Sequence, residues 1–138
     1  MALHTSTPVL VVDDQRTMIR IIRNLLKQIG FHDVDDASDG AGALIKMHAK
    51  RYGLVISDWN MELLTGFDLL REVRSDPALK QTPFIMVTAE SRTDNVIAAK
   101  NAGVDNYIVK PFDVHTLKAK IESVFAVTAK PPPIRTSP

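Results

Sequence analysis

The sequence predicts an α/β protein built on an open, doubly wound parallel sheet of five strands. Two observations indicate this class. Short apolar runs alternate with segments of helical periodicity, which gives a (βα) unit five times over. The strongest runs are apolar on both faces, as in a parallel sheet that helices cover on both sides with right-handed crossovers. A closed (βα) barrel takes about eight units, so this sheet is expected to stay open.

The predicted strands are short apolar segments. In chain order they are VLVVD (9–13), VDDAS (34–38), LVISD (54–58), FIMVT (84–88) and NYIVK (106–110), of which the second is weak. The longest apolar runs are about four residues, far below the roughly 18 that a membrane helix needs. We therefore expect no membrane insertion.

The predicted helices lie between the strands. The first carries apolar residues at helical spacing on one side and basic residues on the other. The apolar set is Met18, Ile21, Ile22, Leu25 and Ile29, and the basic set is Arg16, Arg20, Arg23 and Lys27. Gly30 is the expected stop. Further helices are predicted over 40–50, 66–75, 92–102 and 114–125, the last with a stripe of Val114, Leu117, Ile121, Val124 and Phe125.

The length of 138 residues suits one folded domain. We place it at residues 8–126, after an N-terminal extension at 1–7. Residues 127–138 hold four prolines in twelve positions and no apolar stripe, which predicts an extended or disordered tail. A docking peptide is the alternative interpretation of this tail.

The charge and the cysteine content exclude several classes of function. Seventeen Lys and Arg stand against sixteen Asp and Glu, a net charge of +1 without a basic tract, so no nucleic-acid partner is expected. The chain has no cysteine, which excludes disulfide, zinc-thiolate and thiol chemistry. No secretory signal is visible at the start. We expect a cytoplasmic protein, and a monomer.

Polar residues stand where four of the predicted strands end. The first strand ends at Asp13 and Asp14, the third at Asp58, the fourth at Thr88 and the fifth at Lys110. Because open parallel sheets bind ligands at the carboxyl ends of their strands, these groups are expected to converge. Taken alone, the first two aspartates could simply cap the following helix, and Asp58 could be a turn residue.

Three carboxylates about 5 Å apart would repel one another by roughly 3 kcal/mol per pair at an effective dielectric constant near 20. A cation is therefore expected among them, and oxygen ligands without His or Cys suit Mg²⁺, which commonly bridges to a phosphate. With Lys110 this forms an electrostatic cradle for a phosphoryl group, and a carboxylate would be the nucleophile. The four histidines have no metal-ligand spacing, so we interpret them as surface or packing residues: His4, His32, His48 and His115.

The motifs VVDDQ, SDWNM, MVTAE and YIVKPF, in this order and spacing, resemble those of the receiver domain of two-component response regulators. The likeness covers about residues 8–126 and is strongest to the CheY-like members. It implies a flavodoxin-like (CheY-like) topology with strand order 2-1-3-4-5. It also implies a phosphoprotein that catalyses its own phosphorylation and dephosphorylation and is not a turnover enzyme.

The resemblance assigns roles at the site. Asp58 would accept the phosphoryl group from a histidine kinase, and Mg²⁺ would be held by Asp13, Asp14, Asp58 and the backbone carbonyl of Asn60. Lys110 and Thr88 would contact the phosphoryl oxygens. The peptide bond between Lys110 and Pro111 would be cis, although sequence statistics alone favour trans.

The resemblance also implies a switch and residues that tune it. Thr88 would move toward the phosphate and Tyr107 would turn inward, which changes the surface of the fourth helix, fifth strand and fifth helix. Ala89, being small, would leave space for the backbone to approach. Asn60 and Glu90 are similar to the residues of members that lose the phosphoryl group quickly. Such a member could also be served by a separate phosphatase.

One position departs from the pattern. CheY-like chains usually carry proline after the DWNM motif, but here Glu62 follows Met61. Without proline the loop beside Asp58 is expected to loosen or to take another path. The added carboxylate is expected to oppose the phosphorylated state. Leu63 and Leu64 are interpreted equally well as a partner contact or as core packing.

Three functions remain open at this point. The first is a chemotaxis regulator that binds the flagellar motor switch. The second is a stand-alone receiver that acts as a phosphorelay shuttle or phosphate sink with a histidine phosphotransfer protein. The third is an aspartyl-nucleophile phosphatase, which is disfavoured because Gln15 stands where a second acid is expected after Asp13. Only about twelve residues follow the receiver segment, so no DNA-binding effector domain is expected.

Overall fold

A computed structural model describes residues 5–61, 64–89 and 93–129. Its five strands form one parallel sheet in the order β2-β1-β3-β4-β5. The strands are β1 (Val9–Val12), β2 (Val34–Ala37), β3 (Leu54–Asp58), β4 (Phe84–Thr88) and β5 (Asn106–Val109). The helices are α1 (Arg16–Ile29), α2 (Gly40–Ala49), α3 (Gly66–Ser75), α4 (Thr93–Asn101) and α5 (Val114–Ala129). The predicted fold class and strand order are confirmed.

The core consists of two apolar clusters, one on each face of the sheet. Val9 and Val11 point into the cluster that α1 and α5 cover, whereas Leu10 and Val12 point into the cluster that α2 and α3 cover. All four β1 side chains are fully buried. This explains the unbroken apolar run, because the central strands of a covered parallel sheet have no solvent-facing side.

The buried face of α1 differs from the predicted stripe. Ile19, Ile22 and Leu26 are buried, whereas the side of the helix with Ile21 is open, and Ile21 is 45% exposed. The apolar residues of this helix cover a wider arc than the sheet can bury, and Ile21 lies at the far edge of that arc. Periodicity identified the helix but not the centre of its contact.

The strand β2 is polar because it lies at the edge of the sheet. Asp35 accepts hydrogen bonds from Tyr52 Oη at 2.7 Å and from Lys50 Nζ at 3.0 Å, and Lys50 also contacts Asp33 at 2.9 Å. Charged side chains of this kind suit an edge strand, since they oppose pairing with other chains. The weak sequence signal of β2 therefore reflects its position.

The last helix extends beyond the predicted domain boundary at residue 126. Residues 127–129, which were predicted to belong to the tail, are helical in α5. They contain neither glycine nor proline, so backbone hydrogen bonding continues past the buried Val124 and Phe125. The remaining tail, 130–138, and residues 1–4 of the N-terminal extension lie outside the described residues.

Candidate functional site

The site lies at the carboxyl edge of the sheet, where the strand order changes direction around β1. Val12 pairs with Ser57, so Asp13 and Asp58 leave neighbouring strands at the same level. Thr88 ends β4 next to β3, and Lys110 follows β5 on the other side of β4. The register of four strands therefore brings the predicted groups to one edge, as expected for a doubly wound sheet.

Three carboxylates meet at this edge. Asp13, Asp14 and Asp58 each offer one oxygen, and these atoms all lie within 4.8 Å of one another. Asp13 is 1% exposed and Asp58 is 4% exposed, whereas Asp14 is exposed at the rim. The cluster thus has two acids set into the protein and a third that faces solvent.

Lys110 supplies the cationic side of the site. Its Nζ lies 2.8 Å from Asp58 Oδ1. The contact is an ion pair by distance, but Oδ1 accepts no hydrogen bond, so the ammonium approaches outside hydrogen-bonding geometry. Asp58 Oδ1 and Asp13 Oδ2 are the buried side-chain atoms without a hydrogen-bond partner among residues 5–61, 64–89 and 93–129. A buried charged oxygen that accepts no hydrogen bond is costly, and a bound cation would lower this cost.

The environment of Asp13 raises its pKa to about 6, mainly because burial disfavours the charged carboxylate. The nearby Asp58 and Asp14 act in the same direction. The backbone N–H of Gln15, which donates to Asp13 Oδ1 at 2.9 Å, and the ammonium of Lys110 act in the opposite direction. A divalent cation would outweigh these effects and keep Asp13 ionised.

The donor set fits Mg²⁺. It consists of carboxylate oxygens, of which Asp13 Oδ2 and Asp58 Oδ1 accept no hydrogen bond within the described residues. Mg²⁺ prefers one or two carboxylates together with water and phosphate oxygens. The carbonyl of Asn60, two residues beyond Asp58 on an exposed position, is a candidate for a further ligand. The acidic cluster is therefore compatible with Mg²⁺ binding.

The chain after Asp58 folds back against it. Trp59 N donates to Val87 O at 2.8 Å, and Gly66 N donates to Trp59 O at 2.9 Å. A Cβ at Gly66 would lie 2.1 Å from the carbonyl oxygen of Asp58, so only glycine permits this approach. Sequence reasoning missed this role of Gly66, because no pattern in a single chain shows which backbones touch.

The chain matches a family model. The model of the response regulator receiver domain covers residues 9–122. The chain belongs to the response regulator receiver family. It is 50% identical to the chemotaxis protein CheY of Pseudomonas aeruginosa over 117 residues, which are 85% of this chain and 94% of that protein. It is 43% identical to the chemotaxis protein CheY-3 of Vibrio cholerae over 123 residues, 89% of this chain and 95% of that protein.

A solved structure agrees with this assignment. The chemotaxis protein CheY4 of Vibrio cholerae superposes with a TM-score of 0.80 at 34% identity, with 86% of this chain and 98% of that chain covered. The chain is thus a CheY-like receiver. No helix within the described residues of this receiver is both long enough and apolar enough to cross a membrane.

The candidate switch residues of the receiver lie on β4, on β5 and directly after β4. Thr88 is 6% exposed at the end of β4, and its carbonyl accepts from Lys110 N at 2.8 Å. Ala89 follows on an exposed position. Tyr107 is half-buried in β5, with Lys120 Nζ 5.0 Å from its ring centroid. The peptide bond between Lys110 and Pro111 is cis, as the family resemblance implied.

Other predicted residues fall away from the site or outside the description. Glu62, Leu63 and Glu90 lie outside the described residues. Leu64 packs against the α2 and α3 cluster, so core packing describes it better than an open partner contact. The histidines at 32, 48 and 115 are exposed, and His48 Nε2 lies 3.0 Å from Asp76 Oδ2; His4 is outside the description.

Proposed function

We propose that the protein is a single-domain response regulator that takes a phosphoryl group from a histidine kinase onto Asp58 in the presence of Mg²⁺. The observation that carries the proposal is the pair of buried oxygens, Asp13 Oδ2 and Asp58 Oδ1, which accept no hydrogen bond, together with the ammonium of Lys110 beside Asp58. This arrangement has an excess of negative charge in the free protein and is completed by a divalent ion and a phosphoryl group.

The transfer step moves phosphorus from nitrogen to oxygen. A carboxylate oxygen of Asp58 attacks the phosphorus of a phosphohistidine, the P–N bond breaks, and its electron pair stays on the imidazole nitrogen, which takes up a proton. Bound Mg²⁺ supplies charge neutralisation for the phosphoryl oxygens. Attack by water later breaks the P–O bond, releases inorganic phosphate and restores the Asp58 carboxylate. Acetyl phosphate serves as an alternative donor in the same geometry.

The surrounding residues orient and neutralise the acceptor. The β3 strand fixes Asp58, because its residues from Leu54 to Asp58 are all buried. Lys110, already 2.8 Å from Asp58, shifts to a phosphoryl oxygen when the acceptor is modified. Asp13 and Asp14, together with the Asn60 carbonyl, hold the ion. The site thus consists of an acceptor, a metal-binding part and a cationic part.

Phosphorylation then changes a surface. Thr88 donates its hydroxyl to a phosphoryl oxygen, and Tyr107 turns inward into the space that Thr88 leaves. To invert a minor population of the active conformer, the phosphoryl group must favour it by a few kcal/mol. The altered surface on α4, β5 and α5 binds the flagellar motor switch protein. Support for this target is the likeness to chemotaxis proteins over most of the chain.

The test uses Trp59, the only tryptophan, as a reporter beside the acceptor. Mg²⁺ in the millimolar range is expected to change its fluorescence, and acetyl phosphate with Mg²⁺ is expected to change it further and to label the protein. An unchanged spectrum up to tens of millimolar Mg²⁺ contradicts the metal site. Sustained turnover of a generic phosphate ester would instead indicate a phosphatase.

The partner is tested with protein locked by beryllium fluoride, with the Asp58→Asn variant as the control. We expect the locked protein to retain a motor switch protein and the Asp58→Asn control to lose it. Retention of a histidine phosphotransfer protein without the motor switch protein would overturn the chemotaxis role and favour a phosphorelay shuttle or phosphate sink.

A further inference from the structure

Tyr107 lies on β5, the edge strand of the sheet, where it pairs with Met86 of β4. Its neighbour Ile108 is buried in the cluster that α1 and α5 cover. The ring of Tyr107 is half-buried and packs against the cluster on the opposite face, which contains Met86. Because β5 is an edge strand, a side chain from the first face can reach this ring round the edge of the sheet.

Lys120 of α5 is such a side chain. Its Nζ lies over the Tyr107 ring, 5.0 Å from the centroid, and a cation within about 6 Å of an aromatic face is attracted to it. The helix turn that carries Lys120 is fixed, because Leu117 and Ile121 are fully buried against the sheet. Lys120 itself is half-buried, as expected for a lysine whose stem lies along the protein while its ammonium stays at the surface. The two faces of the sheet are thus linked at its edge by an ammonium and a ring.

We propose that Lys120 is a positioning residue that holds the Tyr107 ring in its half-buried orientation and so opposes the inward turn. This inference rests on the proposed function, in which Tyr107 turns into the space that Thr88 leaves. Thr88 lies on β4, inside the edge strand, so the turn carries the ring away from the edge and from the ammonium. A contact that is present in one orientation only shifts the equilibrium between the two.

The first test observes the ring directly. The chain has two tyrosines, so the Tyr52→Phe variant leaves Tyr107 as the one position that takes up 3-fluorotyrosine. The ¹⁹F solvent isotope shift then reports how far the ring has left water. Lys120→Met keeps an unbranched stem but removes the charge, and we expect it to raise the ratio of inward to half-buried rings about threefold, as for a partly exposed cation–π contact. Lys120→Arg keeps a cation and should restore the original ratio.

The second test measures the affinity for beryllium fluoride, which takes the place of the phosphoryl group on Asp58, by Trp59 fluorescence at saturating Mg²⁺. Apparent affinity rises in proportion to the population of the binding-competent conformer, so Lys120→Met should bind this anion about threefold more tightly. The loss of a positive charge alone would have the opposite sign and weaken the binding. The measurement contains no partner protein, so a direct contact between Lys120 and a partner cannot produce the gain.

Two controls isolate the ring contact. Lys118→Met changes the net charge of the same helix by the same amount, and Lys118 is exposed, so the affinity for beryllium fluoride should not rise. In a Tyr107→Leu background the ring is absent, and the gain from Lys120→Met should vanish. The three variants therefore separate the contact of Lys120 with Tyr107 from the charge of α5.

The outcomes separate this inference from the proposed function. If beryllium fluoride changes neither the Trp59 fluorescence nor the Tyr107 signal of the unmodified protein, the proposed function itself fails. If it changes both, but Lys120→Met binds beryllium fluoride no more tightly than Lys118→Met, Lys120 is not a positioning residue and this inference is overturned. A gain that persists in the Tyr107→Leu background would also overturn it, because the charge would then act without the ring.

Discussion

Carboxylates lie at both ends of the sheet, and those at the two ends differ in their surroundings. At the amino end, Asp105 accepts from Arg74 Nη2 at 2.9 Å and from Phe84 N at 2.8 Å, and Asp35 is bound by Tyr52 and Lys50. At the carboxyl end, oxygens of Asp13 and Asp58 are buried without a hydrogen-bond partner.

The difference separates structural from functional acids. The acids at the amino end have donors within the chain, so they stabilise the fold as it stands. Those at the carboxyl end repel one another, which a folded protein tolerates where a ligand completes the site. Substitutions at the two ends should therefore have opposite consequences for stability and for function.

The largest effect is expected from Asp58→Asn. Because the amide lacks the nucleophilic oxygen of the carboxylate, labelling by acetyl phosphate should fall below detection. Stability should be kept or raised, since one charge of a repelling cluster is removed. Base-labile phosphate incorporation and urea denaturation measure the two quantities, and label that persists would mean another acceptor.

The next largest effect is expected from Arg74→Ala at the amino end. Arg74 donates to the carbonyls of Gly103, Lys80 and Thr82 as well as to Asp105. Removing this half-buried guanidinium should lower the free energy of unfolding by about 4 kcal/mol, since hydrogen bonds of charged groups contribute about 1.5–3 kcal/mol each and are not additive.

The matched control for Arg74 is Arg71→Ala on the same helix. Arg71 is exposed, and its guanidinium lies 5.9 Å from the Phe67 ring centroid. Loss of this contact should lower the free energy of unfolding by about 1 kcal/mol or less. Mg²⁺ affinity should be nearly unchanged in both variants. A tenfold loss of Mg²⁺ affinity in Arg74→Ala would remove the distinction between the two ends.

The third prediction concerns pH and follows from Asp13. Its pKa in the folded protein is about 6, above the ordinary value of 3.8, so the folded state binds more protons between these values. The stability that Asp13 contributes is complete below pH 4 and is lost as the pH rises through 6. A shift of about two pKa units corresponds to a contribution to the free energy of unfolding on the order of 3 kcal/mol.

Metal binding should show the opposite trend, because protons compete with Mg²⁺ for Asp13. Stabilisation by Mg²⁺ in thermal melts should therefore increase as the pH rises through about 6. Asp13→Asn should flatten the pH dependence of the metal-free protein over this range. An equally steep dependence in that variant would show that another group titrates.

The smallest effect is expected from Tyr52→Phe. Burial, followed by the hydrogen bond to Asp35, raises the pKa of Tyr52 to about 12. Loss of the hydroxyl should lower the free energy of unfolding by about 1 kcal/mol. It should also move the pKa of Asp35 back toward its ordinary value, because the Tyr52 hydrogen bond is the largest cause of its lowering. Phosphorylation should be unaffected, and NMR titration with urea denaturation measures these effects.

Much of the fold and site was predictable because two simple patterns carry it. Apolar runs identified four of the strands, and the polar β2 was predicted from a weak signal. The rule that ligands bind at the carboxyl ends of parallel strands placed Asp13, Asp58 and Lys110 together. The buried face of α1 was less predictable, since Ile21 is chemically the equal of Ile19 and Ile22. Which isoleucine is buried depends on the rotation of the helix against the sheet.

The sequence by itself determined the alternation of strands and helices, the acids at the strand ends and the family resemblance, because each is a local pattern or a set of motifs. Only the tertiary structure decided that two acidic oxygens are buried without a hydrogen-bond partner while Asp35 of β2 accepts hydrogen bonds. The same holds for the contact of Gly66 with Asp58 and of Gly40 with Leu64. The reason is physical: burial and pairing depend on which distant segments come within a few ångströms, and the spacing of residues along one chain does not record those distances.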